Sequence, residues 1–142
     1  MTEIDPTPRL TLFNRIVLRL AGLVAGVAVA MALLIAVELY SSVVHPFPAD
    51  YKGTKEEIVA HVARYPQWVL APAVPMWAFT AYASTWVARR VGGRVVAIVV
   101  GLLLTIALLC NLSMLPYPIW FKVAVIIVIP AAIVGATRQT KK

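Results

Sequence analysis

Apolar residues fall along this chain in four long runs separated by short polar segments. Leu20 to Val37 is 18 residues without a polar side chain, and Trp68 to Val87 is 20 residues without a charge. Val95 to Leu115 is 21 uncharged residues, and Ile119 to Thr137 is 19 residues with one charge, Lys122. At ~1.5 Å rise per residue, each run can cross a hydrocarbon layer ~30 Å thick. The pattern predicts an all-α membrane protein, an antiparallel four-transmembrane-helix bundle with spans at about 16–44, 68–87, 95–115 and 119–137. These spans form a single integral membrane domain over residues 1–142, with residues 1–15 as a polar tail. Arginines precede the first run as they would in a secretion signal. Its apolar core exceeds the ~7–15 residues of such signals, so it reads as a retained helix.

The longest polar segment lies between the first two runs. It opens with His45-Pro46-Phe47-Pro48 and then carries a helix signal. Thr54 followed three residues later by Glu57 is a capping-box pattern. Ile58, Val62 and Tyr65 fall on one helical face, and Pro66 ends the pattern. A short amphipathic outer-loop helix is expected at about 54–65, either lying on the membrane surface or packed over the mouth of the bundle. Pro116-Tyr117-Pro118 leaves room only for a tight turn, so the last two spans must be antiparallel neighbours. Pro72 and Pro75 should kink the second span. Tyr65, Trp68, Trp86, Tyr117 and Trp120 fall at span ends, as an aromatic belt requires, whereas Trp77 is mid-span. The two halves also echo one another: each has a polar residue near a span end and then a Pro-aromatic-Pro turn. A duplicated hairpin and the ordinary capping of spans by proline both account for this.

Charge orients the spans. The N-terminal segment, the 88–94 loop and the C-terminal tail carry 9 cations, among them Arg9, Arg15, Arg19, Arg138, Lys141 and Lys142. The opposite side carries 4, namely Lys52, Lys55, Arg64 and Lys122. The positive-inside rule then puts both termini in the cytoplasm. Composition agrees: the chain is 61% apolar and 13% charged, with mean hydropathy +0.86. The net charge of +7 reads as topology and lipid-headgroup contact, because no basic stripe interleaved with aromatics signals nucleic acid.

Few residues can carry chemistry. Glu38 lies seven residues short of His45, about 10 Å inside the outer boundary, with Ser41, Ser42 and His45 on its helical face. Asn111 and Lys122 reach a similar depth from two other spans. A carboxylate there is costly, so a Glu38–Lys122 pair with Asn111 beside it is expected. This cluster reads either as a polar clasp joining the two hairpins or as a proton or cation site, and Lys122 has the further option of snorkelling to headgroups. Gly22, Gly26 and Ala30 form a small-residue stripe, for packing inside the bundle or for homo-oligomerisation. The two histidines have no metal-ligand spacing, and Cys110 has no intrachain partner. No nucleophile–base pair or phosphate-cradling loop is present, so neither an enzyme nor a cofactor is expected.

The run Glu38 to Pro48, the segment Asn111 to Trp120 and the arginine-rich inner loops resemble the small four-span proteins of bacterial inner membranes. That resemblance implies location but no activity. The chain also resembles the small multidrug resistance transporters, four-span proteins with an essential acidic residue in the first span, a role that would fall to Glu38. It departs from them in its outer loop of some twenty residues, in the acid's position near the outer edge and in its one-sided charge. The resulting expectation is a structural or accessory membrane component that binds a protein or lipid partner. The alternative is a small proton-coupled transporter using Glu38.

Overall fold

A computed structural model describes residues 7–138, with side chains from residue 11 onward. The tail before residue 7, the Arg9 side chain, Lys141 and Lys142 lie outside the described residues. Five helices follow one another: α1 (Thr7–Val44), α2 (Lys55–Ala63), α3 (Gln67–Gly92), α4 (Arg94–Met114) and α5 (Ile119–Arg138). No strand occurs among the described residues.

Helix α1 begins earlier than residue 16, so residues 7–15 are helical rather than an irregular tail. The loss of hydrophobicity marks where the chain leaves an apolar layer, not where its backbone hydrogen bonds end. Pro8 sits in the first turn, where its missing N–H costs nothing. The expected 88–94 loop contracts to one residue, Gly93, whose φ of 87° turns α3 directly into α4. Any residue with a Cβ is strained in that conformation. Pro72 and Pro75 lie inside α3, which continues through both.

Three helices are long and apolar enough to cross a membrane: the Thr11–Val44 part of α1, α4 and α5. Their apolar side chains point the wrong way for a water-soluble protein. Only 22%, 33% and 22% of their most apolar windows are buried, and Val24, Ile106 and Ile127 are among many large side chains facing outward. An apolar exterior of this extent requires a hydrocarbon solvent, which marks the chain as a membrane protein.

Helix α3 has the opposite character. It packs against α1, α4 and α5, and it buries Thr80, Ser84 and Thr85. Two of these hydroxyls are satisfied within the helix. Thr80 donates to the Met76 carbonyl at 2.9 Å and Ser84 to the Thr80 carbonyl at 2.6 Å. A helix packed against three others can carry more polar groups than the mostly outward-facing ones, although its Trp68 and Phe79 still face outward. Neighbouring long helices alternate in direction, as their shared ends show. Gly22, Gly26 and Ala30 are buried. A Cβ on Gly22 would meet the Gly92 backbone, and one on Gly26 would meet the Ala88 side chain. The stripe thus lets α1 approach α3 backbone to backbone within one chain.

The α2 end of the molecule contains the main core cluster, in which Phe121, Val125 and Ile129 of α5 meet Leu108 and Leu112 of α4 and Leu70 of α3. At the other end, Arg89 donates to the Ala136 and Thr137 carbonyls and ties the end of α3 to the end of α5.

Candidate functional site

The capping box forms as the sequence spells it. Thr54 Oγ1 accepts from the Glu57 N–H at 3.3 Å, and the Glu57 carboxylate accepts from the Thr54 N–H at 3.1 Å. A further bond from the Lys52 N–H fixes the same carboxylate. These bonds, the Thr54 backbone first, hold the Glu57 pKa below its ordinary value. Helix α2 stops at Ala63, two residues before Tyr65.

No helix packs backbone to backbone on α2. Side chains hold it instead. Tyr51 stacks on Phe47 at 4.1 Å between centroids, Phe47 on His61 at 4.0 Å, and His61 on His45 at 4.5 Å. Tyr65 closes the row, 4.9 Å from His45. His61 is only 6% exposed, and the Nε2 atoms of both histidines are buried without a partner. Burial depresses the His61 pKa and a charge on His45 lowers it further, while the His45 backbone partly offsets them; Arg64 lowers it again and Glu38 raises it.

Beneath this roof lies a cavity of about 240 Å³. Ile58, Val62 and Phe47 cover it. Its polar wall is Glu38 and Ser41 of α1, Asn111 of α4, Tyr65 and Tyr117. Burial raises the pKa of both phenols, so each remains a neutral hydrogen-bonding group. The Tyr65 hydroxyl meets that of Ser41. A second cavity of about 210 Å³ adjoins the first and shares Leu34, Trp77 and Asn111 with it. The rest of its wall is almost entirely apolar, with Ala81, Leu104, Ala107 and Leu108 among its members. The Asn111 Oδ1 is buried without a hydrogen-bond partner. Trp77 stands at the junction, edge-on to Tyr117 and to Phe121 at 6.1 and 5.4 Å.

The six candidate residues separate. Glu38, Ser41 and Asn111 share the first cavity. His45 belongs to the stacked roof. Ser42 turns outward and donates to the Leu39 carbonyl at 2.9 Å. Lys122 lines neither cavity, and no ion pair joins it to Glu38. The reason is azimuth. Phe121, Val125 and Ile129 form the buried face of α5, and Lys122 lies one residue, about 100°, around from it. Glu38 stands beside buried Val37 in the same way and is itself exposed, reaching the cavity only as part of its wall. Depth along a helix can be counted in a sequence, but the direction of one isolated polar residue cannot.

Tyr65 and Tyr117 emerge as cavity walls rather than belt residues, and the mid-span Trp77 lines the same cavity. The signal for Tyr117 was its position between two prolines in a turn too short to let the ring leave the helix ends. Comparison with known proteins adds nothing to these residues: no family model, no curated protein and no solved structure matches the chain.

Proposed function

We propose that this chain is a four-span antiparallel membrane bundle, with both termini in the cytoplasm of a bacterium and α3 as the central span. The 26 residues of α3 extend about 39 Å, enough to cross. Its lower hydropathy is shielded by the three lipid-facing spans around it. The cation bias supports the orientation, since Arg15, Arg19, Arg89, Arg90, Arg94 and Arg138 are all at the end opposite α2.

Within that frame the protein is an accessory membrane component that binds a lipid-like amphiphile through the paired cavities. One observation carries this reading: a chamber with a polar wall beside Glu38 adjoins a more apolar chamber, and Asn111 offers a buried, unsatisfied acceptor shared by both. The polar wall matches a head that donates hydrogen bonds, such as an amine, and the apolar surfaces match an acyl chain. No residue is assigned a catalytic role. The test is fluorescence quenching by phosphatidylethanolamine with brominated acyl chains in a variant that keeps only Trp77. Quenching beyond that given by an unbrominated lipid is expected, with loss in Ala107→Phe, which fills the apolar chamber, and weakening in Glu38→Gln. Quenching unaffected by either change would rule the cavity out.

A second reading is favoured by a specific observation. Glu38 has no cationic partner among the described residues, and it faces a cavity, as a proton-exchanging transporter carboxylate requires. Proteoliposome uptake driven by an imposed proton gradient and abolished in Glu38→Gln would favour transport over simple binding.

A further inference from the structure

We infer that the end of the molecule opposite α2 carries a binding site for the phosphate-bearing headgroup of an anionic phospholipid. Five arginines from three helices line one concavity of about 370 Å³: Arg15 and Arg19 of α1, Arg89 and Arg90 of α3, and Arg94 of α4. No carboxylate lines it. The acidic residues among those described, Glu38, Asp50, Glu56 and Glu57, all belong to the α2 end.

The fold builds this concavity. Arg15 and Arg19 are one helical turn apart and share a face of α1. The single-residue turn at Gly93 makes the last turn of α3 and the first turn of α4 share a rim, which brings Arg89, Arg90 and Arg94 together. The contact of Gly22 with the Gly92 backbone then presses α1 against that rim. Two of the arginines are held in place. Arg89 bonds to the carbonyls at the end of α5, and Arg90 lies over the Trp86 ring at 4.9 Å. Arg15, Arg19 and Arg94 have no hydrogen-bond or ion-pair partner among the described residues.

Two further features point to a phosphate on a lipid. No side chain caps the start of α4, and its hydrogen-bond ladder opens with the Ala97 N–H on the Gly93 carbonyl. The Gly93 N–H donates to the Arg89 carbonyl, so the Arg94, Val95 and Val96 amides are the ones that point out of the helix end toward the rim, where an anion is favoured. Leu18 and Val91 also line the concavity and are 54% and 38% exposed, so an acyl chain leaving the headgroup continues along apolar surface. A topological role requires only that cations lie near span ends. It does not require arginines from three helices to line one concavity. Guanidinium groups suit phosphate because their planar donor forks match its oxygens.

The test uses the purified full chain in a neutral detergent, titrated with phosphatidylglycerol, with phosphatidylcholine of the same chain length, and with inorganic phosphate. Binding is read by native mass spectrometry. Phosphatidylglycerol should bind at least about tenfold more tightly than phosphatidylcholine, since each cation near an anionic headgroup contributes roughly a fivefold preference. Neutralising Arg15, Arg19 and Arg94 together to Gln should weaken phosphatidylglycerol binding on the order of a hundredfold. Neutralising Lys52, Lys55 and Arg64 at the other end should leave it unchanged. If the arginine triple variant does not stay folded, Arg94→Gln alone decides, with an expected loss of roughly fivefold. Equal affinity for the two lipids, or equal losses in the two triple variants, overturns the proposal. Complete competition by millimolar inorganic phosphate also overturns it, because the site would then be one for a free anion.

Discussion

Replacing Gly22 by Ala adds one methyl group, and its effect follows from where that methyl would sit. The new Cβ would collide with the Gly92 nitrogen and lie 2.5 Å from its Cα and 3.0 Å from the Ala88 carbonyl oxygen. Non-bonded carbon contacts are favourable near ~3.5–4.0 Å, so α1 must retreat from α3 by about 1 Å. The obstacle is backbone, which cannot rotate aside like the end of a side chain. Overpacking of this kind costs about 1–3 kcal/mol. Better helix propensity returns at most ~1 kcal/mol of that. The net expectation is a loss of about 1–2 kcal/mol. Gly135→Ala is the matched control, because its Cβ meets nothing within 4 Å. The same chemical change should there be neutral or stabilising by up to ~1 kcal/mol. Reversible unfolding in mixed micelles, titrated with a denaturing detergent, measures both. Equal stability of the two variants would refute the backbone contact between α1 and α3. An unchanged unfolding midpoint with altered oligomeric state in Gly22→Ala would transfer the stripe to an interface between copies.

Phe121→Ala removes the largest fully buried side chain. Because lipid solvates apolar groups about as well as the core does, only the cavity part of the usual penalty applies, roughly 2 kcal/mol in the same unfolding assay. Thr54→Ala removes the α2 cap and should cost about 1 kcal/mol locally, read as faster amide exchange over 55–63 with exchange in α3 unchanged. The depressed His61 pKa gives α2 a pH dependence. The unfolded segment binds the proton more readily, so docking of α2 weakens as pH falls below the ordinary value of 6.5, until the lowered folded pKa is passed. His61→Phe should preserve the ring stack and flatten this profile, measured by amide exchange over 55–63 between pH 5 and 8; an unchanged profile would place the titrating group elsewhere.

Membrane character, helical class and the position of each long apolar run are legible in the order of residues, because solvent and backbone hydrogen bonding impose those features residue by residue. The same order also spells the α2 cap, since Thr54 and Glu57 interact across one turn and need nothing distant. Helix ends were less legible. The start of α1 and the one-residue Gly93 turn depend on backbone continuity beyond the apolar boundary. Which side of each helix faces inward is set only when the helices pack. Periodicity carries no direction when a helix is apolar nearly all round, as α4 and α5 are, because lipid and protein interior favour the same side chains. Thus Glu38 and Asn111 meet at a cavity while Lys122, at similar depth, turns away from it. The stacking of His45 on His61 and the convergence of arginines from α1, α3 and α4 were equally invisible, because each joins segments whose relation is fixed only when the helices pack.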